Sequence, residues 1–131
     1  MNKTIYFRAD GDHGKNSGFG HLSRILKIYK FLRKILSKKY KFIFLIKKNL
    51  SAIKFLKKNY KDKIVIFSKE NLKKLSPKSS DIFIIDTLGV EKNLIDKIDK
   101  FKFLKKISFD EIDTTRFNSG IIINGIFFLK K

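Results

Sequence analysis

Short apolar runs alternate with segments of helical periodicity along the whole chain. Runs that are too short for a helix and rich in β-branched and aromatic residues predict strands buried on both faces of a sheet. Segments with apolar residues at every third or fourth position predict amphipathic helices. The alternation predicts an α/β fold, a Rossmann-like parallel sheet of about six strands with helices on both faces. The length of 131 residues suits a single domain over 1–131 with its own core.

The predicted elements follow one another without repeats. The predicted strands are 3–9, 41–46, 63–67, 81–86, 104–109 and 120–123, and the predicted helices are 21–38, 68–75, 91–101 and one capped by Asn49 or Ser51. Residues 112–119 are predicted to form a loop, and 126–129 end the chain as an apolar segment. Helix 21–38 is expected to bury a stripe that includes Leu22 and Ile35 and is widened by Ile28 and Phe31.

A glycine-rich loop joins the first strand to the first helix, where His21 and Arg24 are neighbours one helical turn apart. The unpaired amides and positive dipole at a helix start suit an anionic or oxygen-rich ligand. Histidine is the default general base near neutral pH. The helix dipole favours the neutral ring of His21, whereas a nearby carboxylate such as Asp10 favours the charged ring. A surface residue that caps the helix is the simpler interpretation of His21 alone.

Polar residues follow four of the predicted strands directly. They are Asp10, Asp86, Asp110 and Asn124. The carboxyl ends of parallel strands lie along one edge of the sheet, so these side chains are expected to gather beside the loop that precedes His21. Aspartate also ends strands and caps helices for purely structural reasons, and that alternative stays open for each position. Together with the glycine loop, the set predicts a binding site built from four distant loops.

Several kinds of site are not indicated. The chain has no cysteine, which excludes disulfides and thiolate metal sites. Asp10, Asp12 and His13 are close in sequence but lack a recognised ligand spacing, so no metal site is predicted. No phosphate-binding loop of the GxxxxGK type occurs, and Gly18-Phe19-Gly20 is not continued into a dinucleotide fingerprint. No cofactor is therefore expected.

The formal net charge of +19 would fit a nucleic-acid-binding protein. However, all the basic residues except Arg8, Arg24, Arg33 and Arg116 are lysines, and the chain is also rich in the other residues of AT-rich codons. Composition therefore explains much of the charge and argues against nucleic acid as the partner. A basic face for an acidic partner or an anionic membrane surface is a further alternative. No spanning segment or signal peptide is evident, so the expectation is a cytoplasmic protein with no membrane partner.

Two motifs at the amino terminus resemble a known family. Phe7-Arg8-Ala9-Asp10 followed by Gly18-Phe19-Gly20-His21-Leu22-Ser23-Arg24 resembles the opening of the UDP-2,4-diacetamido-2,4,6-trideoxy-β-L-altropyranose hydrolases of pseudaminic acid biosynthesis. A related group of spore-coat polysaccharide biosynthesis proteins shares this opening. Weaker matches follow in order at 84–89, 107–110 and 122–124. The resemblance covers essentially the whole chain.

The resemblance implies the amino-terminal half of a two-domain, glycosyltransferase-like (GT-B) enzyme that hydrolyses a UDP-sugar without a metal. His21 matches the histidine that serves as general base for water, and Arg8 and Asp10 match residues on the sugar side. Gly18, Gly20, Arg24, Asp86, Asp110 and Asn124 complete the predicted substrate-binding set. The nucleotide would be held mainly by a second domain, which the chain lacks. That domain is expected on a separate polypeptide, unless the chain is an inactive fragment.

Two departures from the family pattern bear on the substrate. The loop from Asp10 to His21 is slightly longer than usual, which affects access to the base. Leu88 stands where the family often has an aromatic residue, which leaves the identity of the sugar open. The alternatives are a sugar-nucleotide glycosyltransferase subunit and, with less support, a basic nucleic-acid-binding module. Product analysis separates the first from a hydrolase, and salt dependence of binding tests the second.

Overall fold

The computed structural model describes residues 3–10, 20–86, 105–109 and 120–123. Within these ranges the strands are β1 (Lys3–Ala9), β2 (Tyr40–Ile46), β3 (Lys63–Ile66), β4 (Ile82–Asp86), β5 (Lys105–Phe109) and β6 (Gly120–Ile123). The helices are α1 (Gly20–Leu36), α2 (Leu50–Asn59) and α3 (Lys69–Leu75). The predicted helix 91–101, loop 112–119 and apolar segment 126–129 lie outside the described residues.

The strands form one parallel sheet in the order β3-β2-β1-β4-β5-β6. The predicted parallel α/β sheet is therefore confirmed. The chain moves outward from β1 to β2 and β3, and after α3 it returns to the other side of β1 to form β4. The direction of winding reverses between β1 and β4, which makes this the topological switch point of the sheet.

Helices cover both faces of the sheet. Side chains alternate between the two faces of a strand, and Phe7 and Phe44 are buried in the cluster that includes residues of α1 and α2. On the opposite face, Tyr6 and Phe83 cluster with Leu72 of α3. Each face therefore has its own apolar core, which leaves the ends of the strands for polar site residues.

The apolar stripe of α1 is narrower than the sequence predicted. Leu22 is fully buried, but Phe31 is 63% exposed and Ile35 is 61% exposed. A helix has 3.6 residues per turn, so Phe31, nine residues after Leu22, lies about two and a half turns away and on the opposite side. The expectation that Phe31 and Ile35 belong to the buried stripe is therefore wrong. The helix also ends at Leu36 rather than Lys38.

Polar side chains cap the two shorter helices. The Asn49 Oδ1 atom accepts a hydrogen bond from the backbone N–H of Ala52 at 3.0 Å, so Asn49 rather than Ser51 is the N-cap of α2. The Ser68 hydroxyl accepts in the same way from the backbone N–H of Asn71. Among the described residues, no helix has the length and apolar character that crossing a membrane requires.

Candidate functional site at the carboxyl edge

Two of the residues that the sequence predicts for the site, Asp10 and Asp86, lie at the switch point. Asp10 follows the last residue of β1, Asp86 is the last residue of β4, and Ala9 pairs directly with Asp86 in the sheet. In open α/β sheets, ligands bind in the crevice outside the carboxyl ends of the strands at this point. The first turn of α1, which carries the backbone of His21, begins at Gly20 on the same connection.

Arg24 and Asp86 form a two-pronged ion pair from α1 to β4. The Arg24 Nε atom lies 2.6 Å from Asp86 Oδ2, and Nη2 lies 2.7 Å from Oδ1. The Asp86 side chain is completely buried, whereas that of Arg24 is 32% exposed. Paired N–H donors on one carboxylate fix orientation as well as distance. The pair therefore attaches the first turns of α1 to the far side of the switch point.

Arg8 and Asp10 form a second ion pair, which is local to the end of β1. Arg8 Nη1 donates to Asp10 Oδ1 at 2.5 Å, and Nη2 donates to Oδ2 at 2.8 Å. The Asp10 Oδ1 atom also accepts from the backbone N–H of Lys47, just after β2, at 2.9 Å. The Arg8 guanidinium stacks over the ring of Phe67, with 4.5 Å between its central carbon and the ring centroid. These contacts connect the ends of three adjacent strands.

The acidity of Asp10 reflects these partners. Burial by itself would raise the pKa of the Asp10 carboxyl, but the hydrogen bond and charge of Arg8 and the amide of Lys47 outweigh burial and hold that pKa below its usual value. Asp10 is therefore a carboxylate at neutral pH, committed to Arg8 and unsuited to carry a proton.

The predicted site residues differ in where the structure places them. Arg8, Asp10, Arg24 and Asp86 lie at the carboxyl edge in two separate pairs. Gly20 is the exposed first residue of α1, and a Cβ atom there would have no neighbour within 4 Å. Packing therefore does not require glycine at this position, and the space beside it is open.

The remaining predicted residues cannot be compared with the structure. Gly18, Asp110, Asn124 and the side chain of His21 lie outside what the structure describes. Their roles stay predictions, as does the gathering of all four strand-end polar residues at one place.

Sequence reasoning missed two residues of this edge. Lys47 supplies its backbone amide to Asp10, and Phe67 supplies its ring to Arg8. Lys47 contributes its backbone rather than its side chain, and Phe67 was predicted as the last residue of strand 63–67 and contributes an apolar ring. Neither contact is made by a polar side chain that follows a strand, which is the signal that identified Asp10.

The opposite edge of the sheet carries two shallow clefts of about 430 and 390 Å³, both lined by Arg33 and Ser37. The carboxylate there, Asp62, accepts from the Tyr29 hydroxyl at 2.7 Å and from Arg33 Nε at 3.2 Å. Burial and the hydrogen bond to Asp62 raise the pKa of Tyr29 to about 12. The Tyr29 hydroxyl also accepts from the backbone N–H of Lys61. These bonds join α1 to the turn before β3, so their role is structural.

Comparison with known proteins adds no assignment. No family model, curated protein or solved structure matches this chain. The resemblance to UDP-sugar hydrolases therefore depends on the motif residues alone.

Proposed function

We propose that this chain is the sugar-binding half of a nucleotide-sugar hydrolase of the GT-B type. In this proposal the carboxyl edge holds the sugar of a UDP-linked diacetamido-trideoxy substrate, and a second domain holds most of the nucleotide, as in the family that the sequence resembles. Arg8, Asp10, Arg24 and Asp86 shape the sugar side of the crevice. Gly18, Gly20, Asp110 and Asn124 complete it.

The observation that carries the proposal is the Arg24–Asp86 pair across the switch point. It attaches α1 to β4 three residues after His21, at the place where this class of sheet binds ligands. A general base has to be held within hydrogen-bonding reach of the proton that it removes. Because both guanidinium contacts are satisfied by a buried carboxylate, the backbone that carries His21 has a defined position relative to β1 and β4.

The proposed reaction is an inverting displacement by water. The neutral ring of His21 takes a proton from water while the water oxygen attacks the anomeric carbon. The bond from that carbon to the UDP oxygen breaks, and the electron pair leaves with UDP. The products are UDP and the free sugar with inverted configuration.

Proton NMR of the UDP-linked trideoxy-altrose substrate tests the proposal. The chain would be assayed alone and together with the polypeptide encoded directly downstream, and we expect UDP and free sugar in the second mixture. His21→Asn should abolish release, whereas the same change at the other histidine, His13→Asn, is the matched control and should retain it. Loss with His13→Asn and activity with His21→Asn would overturn the assignment of the base. A glycoside instead of free sugar would identify a transferase.

A further inference from the structure

We propose that the outer surfaces of α1 and α2 form a docking face for an anionic phospholipid surface. This face, called the lysine face below, consists of the exposed residues Lys27, Lys30, Phe31, Lys34, Ile35 and Lys38 on and just after α1, and Leu50, Lys54, Lys57 and Lys58 on α2. The inference does not depend on the proposed hydrolase activity, because none of these residues belongs to the predicted catalytic and substrate-binding set.

The first observation is the distribution of exposed apolar side chains. In the described part of the chain, the large apolar residues with exposed side chains are Phe31, Ile35 and Leu50, at 63%, 61% and 79%. All three belong to α1 or α2, the two helices whose inner sides pack in the same core cluster on one face of the sheet. Phe31 and Ile35 are four residues apart and therefore neighbours on α1, and adjoining exposed apolar groups are typical of interaction surfaces.

The second observation is that the charge on this face has one sign. Neither α1 nor α2 contains an aspartate or a glutamate. Lys27, Lys30, Lys34 and Lys38 follow one another at three- and four-residue spacings, so like charges are neighbours along the outer side of α1. Like charges at this spacing destabilise an isolated helix. A surface with many negative charges relieves that repulsion, which makes it the complementary partner.

The apolar and basic residues are also interleaved. Phe31 lies opposite the buried stripe of α1; Lys27 and Lys34 lie within about a sixth of a turn on one side of it, and Ile35 lies about a ninth of a turn away on the other side. Leu50 occupies the corresponding outward position on α2, with Lys54 and Lys57 on its two sides. On a lipid surface, such side chains enter the headgroup boundary while the lysines reach the phosphates around them.

Two other partners fit the same face less well. A second copy of this chain would bring lysines against lysines, because the face carries no acidic residue. A nucleic acid would match the charge, but its phosphate backbone offers nothing to bury Ile35 and Leu50, and the cations here are all lysine rather than arginine. A lipid surface uses both the charge and the apolar side chains.

This inference departs from the sequence-based expectation of no membrane partner. That expectation assigned Phe31 and Ile35 to the core and treated the lysines as ordinary solvated surface. The structure exposes both apolar side chains beside the lysines, which changes the interpretation of the charge.

Vesicle sedimentation with the full chain tests the proposal. The probes are vesicles of phosphatidylcholine and vesicles of phosphatidylcholine mixed with phosphatidylserine. We expect binding to the mixed vesicles. The triple variant Lys27→Gln, Lys30→Gln, Lys34→Gln should bind about a hundredfold more weakly, since each lysine contributes about fivefold near an anionic surface. The double variant Phe31→Ser, Ile35→Ser should bind about tenfold more weakly.

The matched control is on the other face of the sheet. Lys69, Lys73 and Lys74 of α3 are also exposed, and replacing all three by glutamine removes the same charge. This variant should bind within about twofold of the unchanged chain. An equal loss in both triple variants would show that net charge alone drives binding and would overturn the proposal. So would an unchanged affinity of the Phe31→Ser, Ile35→Ser variant, equal binding to pure phosphatidylcholine, or tighter binding of a DNA duplex through the same lysines.

Discussion

Replacing Asp10 by alanine is expected to lower the free energy of unfolding by about 3–5 kcal/mol, because the change leaves a buried guanidinium without its carboxylate. The Arg8 side chain is 1% exposed, and both of its terminal nitrogens donate to Asp10. Its third guanidinium nitrogen, Nε, already has no hydrogen-bond partner among the residues that the structure describes. Among the contacts that the described residues make with Arg8, the ring of Phe67 would remain to stabilise the charge.

The reverse change is expected to cost less. Arg8→Met leaves the Asp10 carboxylate, which is 19% exposed and still accepts the Lys47 amide at 2.9 Å. Water and this amide replace part of what Arg8 supplied, so we expect a loss of about 1–3 kcal/mol. The double variant Arg8→Met, Asp10→Ala should be at least as stable as Asp10→Ala alone, because it contains no unpaired buried charge.

Urea unfolding followed by far-ultraviolet circular dichroism measures all four proteins of this cycle. The control is Arg33→Met, which removes an arginine that is 45% exposed in its pair with Asp62 and should cost less than about 1 kcal/mol. The reasoning is refuted if Arg8→Met costs as much as Asp10→Ala. It is also refuted if the two single losses add up in the double variant to within about 0.5 kcal/mol, since that would mean that the two side chains do not interact.

Three further predictions concern the titration of Asp10 and the hydroxyls of Tyr29 and Tyr60. Folding lowers the pKa of Asp10 from its ordinary value of 3.8. The ionised carboxylate therefore contributes stability that is fully present above pH 3.8 and is lost as the pH falls through the pKa of the folded chain. The stability difference between the unchanged chain and Asp10→Ala should therefore shrink in acid unfolding series below 3.8; a constant difference would contradict this. Tyr29→Phe should cost about 1–3 kcal/mol in urea, because the hydroxyl bonds to Asp62 and Lys61 are lost. Tyr60→Phe should cost less than about 0.5 kcal/mol, because its buried hydroxyl has no partner within the described residues, and a larger loss would disprove this.

Much of the local structure could be predicted from residue patterns. The bounds of β1 and β6 agree with the predicted strands, and those of β4 differ by a single residue. Backbone geometry explains this agreement. Buried side chains recur every second residue in a strand and about every 3.6 residues in a helix, so the pattern is visible within a short stretch of sequence. The same geometry explains the error at Phe31. Its apolar character suggested burial, but its angular position on α1 places it on the side away from the sheet.

The candidate site was only partly predictable. Polar residues directly after apolar strands identified Asp10 and Asp86, because a parallel sheet brings such positions to one edge. Their partners could not be read from the sequence in the same way. Arg24 pairs with a carboxylate 62 positions later in the chain, while Arg8 pairs with one only two positions away. The two arginines therefore belong to different pairs, a distinction that no local pattern contains.

The sequence by itself determined the α/β class, the alternation of elements and which strand ends carry polar groups. Each of these follows from the periodicity of neighbouring residues. Only the tertiary structure decided that β4 lies beside β1, and so that Asp10 and Asp86 follow or end neighbouring strands at the switch point. It also decided that the exposed apolar residues of α1 and α2 share one face. The order of the strands and the face of the sheet that each helix covers depend on crossover connections between distant segments. No short stretch of sequence contains the free energy of the contacts between those segments.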